Sequence, residues 1–223
     1  MVLKIWESEA PFDLEGDYWH IKVESTNPEL EYGMLKPYQR PHPPLAMSVV
    51  KGNSMAARMA GERGYIPLST NLVAGNTVKE HWHTYCSGAE EAGCPPPDRE
   101  IWRVARSIFI GETSSEAWDH ARNSPFADSF TYMLTLLRSA DMLHLVKRDP
   151  DMPDADATTE YMLRELCVVG DKNECMLQIS KLWDETGGFG TLLMVAHDMD
   201  DKPKWRQSME WLANEVVPSF PNL

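Results

Sequence analysis

Apolar and polar positions along this chain follow two alternating rhythms. Short, nearly continuous apolar runs occur at Leu45–Val50, Tyr65–Ser69, Trp102–Ile110 and Phe189–Ala196, and a stretch with helical spacing follows each. Runs of this length suit strands buried on both faces, and the alternation of strand and helix predicts a parallel sheet covered by helices. A closed barrel of that kind needs eight such units and typically about 250 residues. The expectation is an α/β fold in the form of a partial TIM barrel, the C-terminal half of a (β/α)8 barrel, with about four parallel strands.

Local signals set the helices between those strands. The first runs to about Arg63, where Gly64 suits a left-handed stop. The next spans about Thr77 to Ala92, with capping-box spacing at Thr77 and Glu80, and ends at Gly93-Cys-Pro-Pro-Pro97. Thr113 with Glu116 and Asp171 with Glu174 have N-cap and N3 spacing. Residues 126–148 read as one long helix, and a further helix falls near Thr158–Leu166. Leu166–Val169 is a short apolar run before Gly170. Met176, Ile179, Leu182 and Trp183 form the stripe of the next helix, which Gly187 and Gly188 end. The last helix puts Trp205, Met209, Leu212 and Val216 on one face.

Upstream of the first buried strand, Val2–Glu7 reads as the end of a helix. Tyr18–Glu24 alternates like a half-exposed strand or hairpin arm, and residues 25–44 form a proline-rich loop. No interdomain linker interrupts the pattern. The reading is one domain over residues 1–223, incomplete at its N-terminus.

Composition narrows the class of function. The chain has 223 residues, 43% of them hydrophobic, so it can bury a substantial core. Its formal net charge of −13 argues against binding nucleic acid or an anionic membrane surface. No run approaches the roughly 20 apolar residues that span a bilayer. Cys86, Cys94, Cys167 and Cys175 form no CxxC pair and read as reduced thiols of a cytoplasmic protein.

The motifs, taken in order, resemble the C-terminal part of the bacterial-luciferase-like, flavin-dependent monooxygenases, in particular those acting on limonene-type substrates. The segments that carry the resemblance are Lys36-Pro-Tyr-Gln-Arg-Pro-His-Pro-Pro-Leu-Ala46, Ser54 through Gly64 with Pro67-Leu-Ser69, and His81-Trp-His-Thr-Tyr85. They continue with Trp102-Arg-Val-Ala-Arg-Ser-Ile-Phe-Ile-Gly111, Gly187-Gly-Phe-Gly-Thr-Leu-Leu-Met-Val-Ala-His-Asp198 and Arg206-Gln-Ser-Met-Glu…Val216-Val-Pro218. The resemblance implies a (β/α)8 barrel in which the four strands here are the fifth to eighth. It implies reduced FMN, O2 and a small apolar organic substrate into which one oxygen atom is inserted, with a flavin reductase supplying the cofactor. A deazaflavin in place of FMN stays open. The family's catalytic histidine and much of its flavin pocket belong to the first half of the barrel, so no catalytic residue is assigned.

The residues just after each strand are the ones to weigh, because barrel enzymes work at the C-terminal ends of their strands. Gly52, Asn53, Ser54, Met55 and Ala57 open a helix, whose N-terminus suits a phosphate. By resemblance, a serine and a residue three further on touch the FMN phosphate. Ala57 stands at the second position, where its backbone N–H could serve. Read from the residues alone, Asn53 or Ser54 is an N-cap. Leu68, Ser69, Thr70 and Asn71 follow the second strand. They line the flavin ring or substrate pocket by resemblance, and form an ordinary strand-to-helix loop without it.

His81 and His83 lie two apart on a helix and point about 200° from each other, so they do not share a metal ion. His197 and Asp198 follow the fourth strand and are candidates for the site rim, or else a turn and helix start. His42 reads as part of a structural loop. Two alternatives accompany the enzyme reading: a flavin-binding protein without turnover, and a remnant with no ligand. Four open strands expose two edges and an apolar inner face, which predicts self-association.

Overall fold

A computed structural model describes residues 1–25, 36–195, 197 and 199–220, and residue contacts divide it into two compact units, Met1–Leu45 and Ala46–Leu223. Part of the proline-rich loop, Ala196 and Asp198 therefore lie outside the described residues.

In the first unit, helix α1 (Val2–Glu7) is followed by an antiparallel hairpin of β1 (Phe12–Glu15) and β2 (His20–Val23), paired from Phe12↔Val23 to Glu15↔His20. The alternation predicted after Tyr18 thus holds over β2, where Ile21 and Val23 are half-buried between exposed His20 and Lys22. Lys36 Nζ donates to the Ile5 and Trp6 carbonyls at 3.2 Å each, and also to that of Ser8. A cation there answers the negative end of a helix that buries none of its own residues.

The second unit is the α/β domain. Its parallel strands are β3 (Ala46–Val49), β4 (Ile66–Ser69), β5 (Arg103–Ile110), β6 (Cys167–Gly170) and β7 (Thr191–Val195). Helices α2 (Met55–Arg63) and α3 (Gly75–Glu91) follow β3 and β4. Helices α4 (Ser114–Arg122), α5 (Pro125–Ser139) and α6 (Thr159–Leu166) lie between β5 and β6, α7 (Lys172–Thr186) between β6 and β7, and α8 (Lys202–Trp211) after β7.

Strand β5 is the centre of the sheet. One edge takes β7 along Arg103–Ser107. The other is shared, with β4 at Arg103 and Val104 and β6 at Ser107–Ile110. The sheet therefore has five strands where four were expected. An eight-residue strand has length to spare after pairing with β4, and the run around Leu166–Val169 fills it. Four apolar residues cannot by themselves be told from the end of a buried helix.

The caps behave as local rules require, with exceptions that trace to packing. Thr113 and Asp171 accept the N–H groups of Glu116 and Glu174, and Gly64 (φ 64°) and Gly187 (φ 77°) end α2 and α7 in the left-handed region. Helix α3 does not use the Thr77–Glu80 box. It starts two residues earlier, where Gly75 lies so close to the Glu185 carboxylate that a Cβ would come within 2.0 Å of it. The long helix expected over 126–148 is broken: α5 ends at Ser139, Asp141 turns left-handed at φ 56°, and a separate 3-10 turn covers Leu143–Leu145. In the last helix Trp205 and Val216 are fully buried and Leu212 nearly so, but Met209 is 37% exposed. A π turn over Leu212–Val216 continues α8.

Register separates the two faces of the sheet. Pairing puts Met47, Pro67, Val49, Ser69 and Val104 on the helix side, and Ser48, Leu68, Arg103, Ser107 and Val195 on the inner side. The helix side is closed by Val73, Val78, Trp82, Tyr85, Trp102 and Phe189. On the inner side, Leu68, Thr191, Leu193 and Val195 are only half-buried. No helix among the described residues is long and apolar enough to cross a membrane.

Candidate functional site

The two predicted loops lie side by side, because β3 and β4 are neighbours in register (Val49↔Ser69) and the Thr70 N–H donates to the Val49 carbonyl at 3.2 Å. Gly52 is buried, Asn53 and Met55 are exposed, and Ser54 is half-buried at the N-cap of α2. Ser54 Oγ accepts the Ala57 N–H at 3.0 Å. That contact uses a lone pair of the hydroxyl and leaves its proton free to donate. It also engages the Ala57 N–H, the group expected to serve a phosphate. The N–H groups of Met55 and Ala56 are the first-turn donors without an intrahelical acceptor.

Close approach at Gly52 is real, but the atoms that approach belong to α3. A Cβ at Gly52 would lie 1.8 Å from Glu80 Oε2, and Thr84 Oγ1 donates to the Gly52 carbonyl at 3.0 Å. Glycine is required there by a carboxylate packed against the loop. That carboxylate opposes a second negative group at the same helix end.

In the second loop, Leu68 faces the inner side, whereas Ser69 is fully buried behind the sheet. Its Oγ lies 2.9 Å from both His81 Nδ1 and Trp102 Nε1. Burial pushes His81 down to about 4, an effect the Val50 backbone opposes only in part. Its Nε2 is buried without a hydrogen-bond partner among the described residues. His83, two positions on, is exposed, so the pair diverges as the helix geometry requires. The Thr70 hydroxyl is likewise buried and has no hydrogen-bond partner among the described residues.

Asn71 points the other way, over the inner side. Its Nδ2 donates to Ser107 Oγ at 2.9 Å, and His197 Nε2 lies 2.8 Å from the same oxygen. The ends of β4 and β7 thus meet on one hydroxyl in the middle of β5. The His197 ring is flanked by Phe126 and Phe130, with centroids 4.7 and 5.7 Å away. Ser107 was not singled out from the sequence. The available signal was a polar pair, Arg106-Ser107, inside a strand that is otherwise apolar after Arg103. Arg106 is turned to the helix side, 3% exposed, and donates to the Ala105 and Thr70 carbonyls at 2.9 and 3.4 Å. Burial draws it down to about 10.

Other candidates lie away from these loops. His42, in the first unit, contacts the Pro43 carbonyl at 2.8 Å and the Trp6 ring at 5.9 Å. All four cysteines are free thiols, and burial pushes Cys167 and Cys175 up. Among the described residues no group of three or more His, Cys, Asp or Glu could hold a metal ion.

In barrel-type folds the functional residues sit at the C-terminal ends of the parallel strands, and Ser54, Asn71 and His197 lie there. The chain belongs to the luciferase-like monooxygenase family, whose model matches residues 1–189. It is 32% identical over 226 residues to 3,6-diketocamphane 1,6-monooxygenase of Pseudomonas putida, covering 97% of this chain and 59% of that protein. It is 26% identical to 2,5-diketocamphane 1,2-monooxygenase 1 of the same organism, covering 96% and 61%. Among solved structures, the oxygenating constituent of P. putida 3,6-diketocamphane monooxygenase in complex with FMN matches with a TM-score of 0.80 at 31% identity, covering 97% of this chain and 60% of that one. The chain therefore spans about three-fifths of the length of these relatives.

Proposed function

We propose that this chain binds FMN at the C-terminal edge of its sheet. It belongs to an enzyme that uses the reduced flavin and O2 to oxygenate a small hydrophobic organic compound. The observation that carries this reading is the convergence of the loops after β3, β4 and β7 at one edge, in a chain that matches an FMN-bound monooxygenase along 97% of its length. When bound, the flavin supplies the oxygen-activating chemistry, and the protein supplies position and shielding.

The residues present fit such a ligand better at the ring than at the phosphate. The orphaned Thr70 hydroxyl and the Asn71 carboxamide offer polar contacts to a ring lying over Leu68. At the phosphate end, the Ser54 hydroxyl and the Met55 and Ala56 N–H groups are the donors, with Gly52 and Asn53 framing the turn. Ser69 acts from behind the sheet by holding the loop, since its hydroxyl is used by His81 and Trp102. A flavin reductase is the natural source of reduced cofactor. The half-buried inner-facing residues Leu68, Leu193 and Val195, and the edges of β3 and β7 that pair with no strand among the described residues, support self-association in solution.

Fluorescence quenching of FMN by the purified chain tests the binding. Oxygen uptake with chemically reduced FMN and a cyclic ketone or terpene tests turnover. Quenching with substrate-dependent uptake is the expected result. Quenching alone would make the chain a flavin-binding module, and no quenching would overturn the reading. The same titration with a deazaflavin separates the two cofactor classes.

A further inference from the structure

We infer that Asn71, oriented by Ser107 and His197, is a specificity-determining residue that accepts a hydrogen bond from the imide N–H of the flavin ring. This rests on the flavin reading above and names the part of the ligand that is read.

The inference starts from the hydroxyl of Ser107, which is fully buried. A serine hydroxyl has one proton to give and two lone pairs to receive with. The Asn71 amide nitrogen faces it at 2.9 Å and donates. The Ser107 proton then needs an acceptor, since a buried unpaired donor is costly. His197 Nε2, at 2.8 Å, is the acceptor in reach among the described residues. The hydrogen bonds therefore run in one direction, from Asn71 through Ser107 to His197, and the imidazole carries its proton on Nδ1. The Phe126 and Phe130 rings flank the imidazole and restrict its orientation.

This polarity sets what Asn71 offers its surroundings. With the amide nitrogen turned to Ser107, the carboxamide oxygen is the atom on the other side of the group, and it meets a ligand as an acceptor. Asn71 is half-buried at the C-terminal end of β4, next to Leu68 on the inner side and the orphaned Thr70 hydroxyl. An acceptor beside an apolar platform suits a flat heteroaromatic ring with an N–H at its edge. The imide of an isoalloxazine is such a group, and a deazaflavin carries it too.

The test compares FMN with N3-methyl-FMN, which lacks the imide proton, in titrations of the full chain and of its Asn71→Ala variant. The chain should bind N3-methyl-FMN about fivefold to tenfold more weakly than FMN, the loss of one hydrogen bond. In Asn71→Ala the two flavins should bind alike, both near the weaker value. Ser107→Ala should also lose most of the discrimination, with circular dichroism confirming that it folds. The 15N shifts of the His197 ring in the ligand-free chain should give the Nδ1–H tautomer. Equal binding of the two flavins by the unaltered chain overturns the inference and leaves FMN binding standing, and so does an Nε2–H tautomer. Failure of the unaltered chain to bind FMN at all overturns both.

Discussion

Two serines on neighbouring strands each hold a hydrogen-bonded triad, and the triads face opposite sides of one sheet. Ser69 on β4 bridges His81 and Trp102 behind the sheet. Ser107 on β5 bridges Asn71 and His197 on the inner side. The chemistry is nearly the same: one hydroxyl, one imidazole and one side-chain N–H. The surroundings are not. Trp102 and His81 are fully buried, and Trp102 stacks on Trp82 at 5.2 Å and meets Phe189 edge-on at 6.3 Å. Asn71 and His197 are half-buried at strand ends. A closed triad holds a loop in place, whereas an open one can still meet a ligand.

The comparison predicts unequal sensitivities. Trp102→Ala should have the largest effect, a loss of about 3–5 kcal/mol of stability in urea unfolding, because it removes a fully buried aromatic and its stacking partners. Acid should act next, through His81. Its folded pKa, about 4, lies below the ordinary 6.5, so the unfolded chain binds the extra proton first. Stability from this group is present above about pH 6.5 and is lost as pH falls toward 4, by about 3 kcal/mol in full. A His81→Gln variant should show a flatter profile between those pH values. An unchanged profile would mean that the histidine is more open to water than its burial indicates.

Ser69→Ala should cost about 1–3 kcal/mol, since two ring nitrogens lose their partner where water cannot replace it. The matching change on the other face, Ser107→Ala, should cost only about 0.5–1 kcal/mol, because Asn71 and His197 can turn to solvent. Equal costs for the two serines, read by the same unfolding experiment, would erase the distinction between the faces. The smallest effect should come from Glu80→Gln, which removes the carboxylate packed on Gly52. FMN binding should tighten by about twofold to fivefold, the scale expected for one exposed charge near the phosphate. Weaker binding would mean that the carboxylate orders the loop rather than repelling the ligand.

Much of this was legible in the chain itself. Continuous apolar runs placed β3, β4, β5 and β7, and cap residues placed the starts of α4 and α7, because both signals act over a few residues. The fifth strand was not legible, since Cys167–Gly170 becomes a strand only by filling the free length of β5. The Thr77–Glu80 box is not used: α3 starts at Gly75, which packs against Glu185, more than a hundred residues away.

For the candidate site, the sequence pointed to the loops after the strands, because barrel enzymes work at the C-terminal ends of their strands. It also placed the N-cap of α2 at Asn53 or Ser54, and Ser54 takes it through a contact across three residues. Only the tertiary structure decided that Ser69 turns to the helices while Asn71 turns inward. It alone joined Asn71 to Ser107 and His197, which are 36 and 126 residues further along the chain. The physical reason is that strand period and helix capping are short-range properties of the backbone. A hydrogen-bond partner across three strands exists only once the register of the sheet is formed.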